Sequence, residues 1–321
     1  MKNIPRNHHY LSQFYLRGFS KSGNEKSTIF VYDLKNEKQF STKAKNIGSL
    51  RDFNRIDIEE FDQNIFENDL SVFEGKVAES LKHISKVNKF ESEDKIRILN
   101  FIALLAVRTP YHREIRRQNE EMLAKNIFSV VLSDKERWET IKSKNLKLKN
   151  ESITYEEMKK FHESGEYSVQ VSREHHIKME LYAFEVVLET LFERNWQLIN
   201  TTEEIGYFIT CDKPVILSHK DPEIVPIFYR YSPGHGVPNT QILFPLSKTL
   251  TLLGEFEPLE SERTTNENEV ALQNRKIIAY TQNQIYSPKS YFKVFNDSGI
   301  VFDGSKIRYN KSNTQFQGEN Q

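Results

Sequence analysis

The run from Phe101 to Val107, Phe-Ile-Ala-Leu-Leu-Ala-Val, is the longest apolar stretch of the chain, and Arg108-Thr109-Pro110 follows it directly. A helix this apolar on nearly all sides has no face for water and must run through a core. Ile96, Leu99, Ile102, Ala103 and Ala106 carry the helical spacing, and Ser92 or Asp94 supplies a short polar side chain to cap the start. Pro110 removes a backbone donor and clashes with the preceding turn, so the helix kinks or ends there, and a helical pattern resumes from Tyr111 to Val131. The run is far shorter than the roughly 20 residues of a membrane span, so no membrane crossing is expected.

Other segments arrange themselves around that helix. Thr28 to Leu34 alternates β-branched and aromatic residues, Lys35-Asn36 makes a polar turn, and Glu37 to Ala44 resumes a weaker alternation, which predicts a hairpin. Phe66, Leu70, Phe73, Val77, Leu81 and Ile84 form one apolar helical stripe. A third long helix is predicted over 177–194. Strands are predicted over 196–200, 206–211, 214–217, 225–230, 241–246 and 250–254, with Gly and Pro between several of them. Thr265 or Asn266 caps a further helix reaching Gln284, with an apolar face through Val270, Asn274, Ile277, Ile278 and Ile285. Two short strands, 291–296 and 299–302, close the chain. Helices and strands in separate runs argue for an α+β fold, a helical layer on an antiparallel or mixed sheet. The expected organisation is a single domain over 1–307, with 133–176 as a polar helical insertion and 308–321 as a disordered tail.

Composition narrows the function classes. The chain has 321 residues with 45 Lys and Arg against 45 Asp and Glu, so a uniformly basic nucleic-acid binder is excluded. The 22 Phe and 14 Tyr supply enough apolar surface to exclude a disordered chain. A lone cysteine, Cys211, excludes an internal disulfide framework and a cysteine-rich zinc site. With no apolar signal segment at the start, the expected location is the cytoplasm. The charge is unevenly placed: 57–74 is acidic without a Lys or Arg, and 140–149 carries Lys142, Lys144, Lys147 and Lys149 without an acid. Those patches leave room for a local phosphate site, or for docking surfaces.

No phosphate-binding loop, dinucleotide fingerprint, zinc-protease helix or nucleophile elbow is present. Adjacent His8 and His9 in an extended segment point to opposite sides, so one at most faces a given pocket. Histidine titrates near neutral pH and suits acid–base work or metal ligation; the alternative is one buried, hydrogen-bonded ring and one surface ring. His175-His176 poses the same choice. Arg108, just past the apolar run, needs a carboxylate, a carbonyl or a ligand anion, because an unpaired buried charge costs several kcal/mol. Asp212, at a strand end before Pro214, is either a site carboxylate or a turn residue bonding backbone. Asn274 is a polar group directed inward that requires partners.

These segments together resemble a known family. Asn7-His8-His9-Tyr10, Gln13-Phe14-Tyr15-Leu16 and Phe19 are similar to the opening signature of the bacterial DUF4238 family, approximately His-His-Tyr-[Val/Ile]-Pro-x-Phe-Tyr-Leu-[Arg/Lys]-x-Phe. Here Leu11-Ser12-Gln13 stands where a proline-containing triplet is usual. Shorter matches follow in order: Arg108, Pro110 and Arg113; Asn195-Trp196 and Leu198; Phe208 through Asp212 to Val215; Phe244 to Ser247; and Asn274 to Ser287. The resemblance spans about residues 4–290. The family carries no established activity, so it implies motif positions rather than a mechanism, and it singles out His8, His9, Arg108, Arg113, Asp212 and Asn274.

Two functions are open. One is a hydrolase of phosphoester, nucleotide or nucleic-acid substrates, concretely a nuclease acting as a bacterial defence effector. Its catalytic residues would be His8, His9, Arg108 and Asp212, with Arg113, Gln13 and Asn274 contacting substrate, and a divalent metal is compatible with that set. The other is a non-catalytic module for ligand or protein partners, including a second copy, in which the same residues form a structural polar network.

Overall fold

The computed structural model describes residues 6–56, 65–145, 152–230, 233–296 and 299–306. The tail expected beyond residue 307, Lys147, Lys149 and the first part of the acidic 57–74 stretch lie outside the described residues. The chain divides into two compact units, one made of 1–109 with 177–321 and one of 110–176.

The first unit holds the long apolar helix. It runs Ser92–Val107, and Ile98, Leu99, Phe101, Ile102, Ala103, Leu105, Ala106 and Val107 are all buried. Against it lies the amphipathic Ile65–Val87 helix, burying Leu70, Val77 and Ile84. A five-stranded sheet runs in the order Glu262–Thr264, Asn195–Asn200, Leu250–Glu255, Thr240–Ser247, Ile216–His219. Its pairings are antiparallel except Glu262–Thr264 against Asn195–Asn200, which is parallel. One core cluster joins the helices to this sheet through Val77, Phe101, Leu191, Leu198, Phe244 and Leu252. Trp196 packs flat on Gly254, its cross-strand partner, where a Cβ would lie only 2.8 Å from the indole ring.

A second, four-stranded antiparallel sheet has the order Lys38–Lys43, Thr28–Asp33, Gln284–Ser287, Thr210–Cys211. Its first pair is the predicted hairpin, in register from Thr28↔Lys43 to Asp33↔Lys38. Tyr15, in the short Gln13–Arg17 helix, stacks on Phe244 at 5.5 Å, with its hydroxyl 2.7 Å from Thr210 Oγ1 and donating to the Pro245 carbonyl at 2.9 Å. The aromatic part of the opening motif is therefore core. The whole is an α+β fold.

Some expected elements differ. Residues 225–230 are not a strand: Pro222 and Pro226 withhold two backbone donors, and the segment forms 3₁₀ turns at Pro222–Ile224 and Ile227–Tyr229. The Asn266-capped helix stops at Tyr280, so Ile285 belongs to a strand rather than to that helix's face.

The second unit contains the helices Pro110–Leu132, Lys135–Lys144 and Tyr155–Ser164. Pro110 opens a new helix, the position where its missing N–H matters least. Thr154 and Glu157 form a capping box on the last of them. Ser129 Oγ lies 2.7 Å from His162 Nε2, and His162 Nδ1 lies 2.6 Å from the Tyr167 hydroxyl, linking the first helix to the third.

Candidate functional site

The opening motif forms a strand, Asn7–His9, paired antiparallel with Ser49–Arg51. Alternation then separates the two histidines: His8 is 1% exposed, while His9 is half-buried. His8 Nδ1 accepts a hydrogen bond from the Asn54 backbone N–H at 2.9 Å, and Asn54 Nδ2 donates to Glu67 Oε2 at 2.6 Å. Tyr10 and Leu11 both donate to the Gly48 carbonyl. Gly48 has φ +66°, and a Cβ there would lie 3.1 Å from both Leu11 and Leu16, so the close approach of this turn requires glycine.

Arg108 caps the apolar helix and is 2% exposed. Its Nη2 donates to the His9 carbonyl at 2.7 Å, and its guanidinium lies about 6 Å from the ring centroids of Phe53 and Phe66. Glu74 accepts from Ser12 Oγ at 2.6 Å. Burial pushes the Glu74 carboxyl up, opposed by that hydrogen bond and by the Arg108 charge. Burial pushes the His9 imidazole down, opposed by Glu67 and by a backbone hydrogen bond to Lys45. His9 Nε2 is buried and has no hydrogen-bond partner among the described residues.

Asp212 sits elsewhere in the same unit. Its Oδ1 accepts from Gln282 N at 3.0 Å and its Oδ2 from Asn283 N at 2.8 Å, closing the turn after the Glu267–Tyr280 helix. Burial raises its pKa against the pull of those N–H groups. None of its hydrogen bonds reaches His8, His9 or Arg108. The link to the motif is Tyr10, whose hydroxyl is pushed up first by burial and then by the Asp212 charge, with Tyr286 opposing the shift. The Cys211 thiol is buried, pushed up to about 12 by that burial, and donates to the Lys213 carbonyl.

Asn274 is fully buried. It accepts from Ile209 N and donates from Nδ2 to the carbonyls of Tyr207 and Lys293, each at 2.9 Å. Gln13 begins the Gln13–Arg17 helix and is half-buried. Arg113 is buried in the first turn of the Pro110–Leu132 helix, in the second unit. His175 and His176 belong to that unit too, His175 Nε2 lying 3.0 Å from Glu120 Oε1. The structure thus gathers His8, His9 and Arg108 around the N-terminal strand and places Asp212 and Asn274 at separate main-chain junctions. Among the described residues, no group of three or more His, Cys, Asp and Glu side chains is placed to hold a metal ion.

Several contributors were missed in the sequence. Glu67 and Glu74 are seven residues apart on one helix face beside Phe66 and Phe73, a spacing that signals a shared inward side. Arg194, directly after a long helix, is 2% exposed. It donates to the carbonyls of His235, Thr240 and Gly254 and to Thr240 Oγ1, and lies over the Phe256 ring at 4.1 Å.

A family model described as a protein of unknown function, DUF4238, matches residues 7–291. No curated protein and no solved structure matches the chain.

Proposed function

The chain belongs to the DUF4238 family, whose description assigns no reaction, and from its own geometry we propose that the motif residues brace a non-catalytic binding or interaction module. One observation carries this reading: His8, Arg108, Asp212 and Asn274 each hydrogen-bond a main-chain group far away in sequence. The separations are 46 residues for His8–Asn54, 99 for Arg108–His9, 70 for Asp212–Gln282 and 67 for Asn274–Tyr207. A reactive residue has to present polar atoms to a substrate; here His8 Nδ1, Arg108 Nη2, both Asp212 oxygens and the Asn274 amide are engaged by backbone. Each such bond adds about 0.5–1.5 kcal/mol to stability, or ~1.5–3 where a charge takes part.

The test is turnover by the purified full chain of bis(p-nitrophenyl) phosphate, single-stranded DNA and RNA, with and without Mg²⁺ or Mn²⁺. The expected result is no turnover above a boiled control, together with lowered thermal stability in His8→Ala, Asp212→Asn and Asn274→Ala. Turnover that His9→Ala abolishes at unchanged melting temperature would overturn it.

That last outcome would support the second reading, a phosphoester hydrolase. A specific observation favours it: His9 Nε2 has no hydrogen-bond partner among the described residues, and an imidazole nitrogen not committed to a structural bond can serve as a general base. On this reading His9 is the catalytic residue and Arg108, through the His9 carbonyl, positions it. A nucleotide or nucleic acid, with or without a divalent metal, remains the substrate class to test.

A further inference from the structure

The second unit holds a constellation built without any residue of the N-terminal motif. Ser129 stands near the end of the Pro110–Leu132 helix, and its Oγ lies 2.7 Å from His162 Nε2. His162 is in the last turn of the Tyr155–Ser164 helix, and its other nitrogen, Nδ1, lies 2.6 Å from the Tyr167 hydroxyl. Gly165 makes that second contact possible. At φ +66° it ends the helix in the left-handed region, and its N–H donates to the His162 carbonyl, so the chain turns back toward the last helical residues. The Tyr167 ring then stacks on Phe161 at 4.9 Å, which holds its hydroxyl beside the imidazole.

A hydroxyl on one imidazole nitrogen and an orienting group on the other are the parts of an activated nucleophile. The Ser129 hydroxyl has one proton and two acceptors in reach, His162 Nε2 at 2.7 Å and the Lys125 carbonyl at 3.0 Å. With Nδ1–H donating to the Tyr167 oxygen, Nε2 carries the free lone pair and is the nearer acceptor. Ser129 and His162 both line an open groove of about 290 Å³, together with Leu132, Ser133, Lys159 and Glu163. Ser129 is exposed, so a substrate reaches its oxygen without any rearrangement of the fold.

We propose that Ser129, His162 and Tyr167 form an acyl-transfer site that hydrolyses small carboxylic esters. Ser129 Oγ attacks the ester carbonyl carbon, its proton passes to His162 Nε2, and the carbonyl π pair moves onto oxygen. As that pair returns, the C–O bond to the alcohol breaks and the alcohol oxygen leaves with the proton from Nε2. Water then attacks the acyl-serine and gives a proton to Nε2. The bond to Ser129 Oγ breaks and the serine recovers that proton, so acid, alcohol and unchanged protein result. Lys159 supplies the ammonium of the groove; its contact with Glu163 is long, at 4.0 Å, and its charge favours the transient oxyanion. The geometry also limits the substrate. A groove of this size takes a short acyl group. Tyr167 offers the imidazolium a dipole where a serine-hydrolase triad offers a carboxylate, which confines the reaction to esters with good leaving groups. The site lies wholly in the second unit, whereas the motif braces the first, and neither reading rests on the other.

The test is the purified full chain with p-nitrophenyl acetate and, separately, with a fluorophosphonate, which bonds a nucleophilic serine oxygen through phosphorus as fluoride leaves. The wild type is expected to release p-nitrophenolate in a burst followed by slower turnover, and to carry the phosphonate on Ser129 in peptide mass spectrometry. Ser129→Ala and His162→Gln should each lower kcat/KM about a hundredfold or more. Tyr167→Phe leaves nucleophile and base in place and should lower kcat with KM unchanged. Circular dichroism and melting temperature check the fold of each variant, and labelling of the folded wild type decides the matter where a variant fails to fold. Three results would overturn the proposal. One is folded wild type without phosphonate on Ser129. Another is ester hydrolysis by Ser129→Ala within about twofold of the wild type. The third is a phosphonate carried by Ser133 or Tyr167 in place of Ser129. The phosphodiester assay above uses other substrates and other variants, so the two tests fail separately.

Discussion

Asp212→Asn isolates the bracing role in a single atom. The aspartate uses both oxygens, one for Gln282 N–H and one for Asn283 N–H. Asparagine has one oxygen, and its amide N–H₂ would face the other backbone N–H. The change removes a charge-assisted hydrogen bond, about 1.5–3 kcal/mol, and leaves a buried donor unpaired, about 1–3 kcal/mol. Part of this is offset, because burial disfavours the Asp212 charge and raises its pKa. A net loss of roughly 2–4 kcal/mol follows, which lowers the melting temperature by roughly 4–16 °C at ~2–4 °C per kcal/mol. Calorimetry or denaturant unfolding at pH 7 measures it. Wild-type stability in Asp212→Asn, within about 0.5 kcal/mol, would refute the reasoning, all the more if a binding or catalytic activity disappeared with it.

Asn274→Ala strips the partner from three backbone groups, Ile209 N–H and the carbonyls of Tyr207 and Lys293. A loss of at least ~3 kcal/mol is expected from urea unfolding. His235 gives a pH signature: burial first, then the Arg194 charge, lowers its pKa from 6.5 to about 4. The unfolded chain therefore takes up a proton before the folded one, so the stability is present above pH 6.5 and is lost as pH falls through about 4. His235→Gln should flatten the fall in melting temperature across that window; an unchanged slope would count against the shift.

Much of the fold was legible because periodicity reports burial. The Ser92–Val107 helix, its end before Pro110 and the Thr28–Lys43 hairpin follow from local pattern alone. Residues 225–230 misled because β-branched and aromatic residues mark a strand only where the backbone can donate to a ladder, and the prolines prevent that. The parallel pairing of Glu262–Thr264 with Asn195–Asn200 depends on a distant partner, for which three residues carry no signal. The candidate site was legible only as residue types. Arg108 and Asn274 were singled out for needing partners, His8 for acid–base or metal chemistry and Asp212 as either a site carboxylate or a turn residue; all four bond main chain, and hydrogen bonds to main chain leave no trace in side-chain identity. Glu67 and Glu74 sat within an acidic run, where only their seven-residue spacing beside Phe66 and Phe73 marks the inward side.

The central claim, that the motif braces the N-terminal strand, is tested most directly by amide hydrogen exchange in Arg108→Met. Methionine fills the buried space but cannot donate to the His9 carbonyl or face Glu74 with a charge. The expected result is exchange about tenfold faster or more at Tyr10 and Leu11, whose amides donate to the Gly48 carbonyl, with the distant Leu250–Glu255 strand unaffected. Unchanged exchange at Tyr10 and Leu11, accompanied by loss of a phosphodiesterase activity that the wild type possesses, would contradict the account.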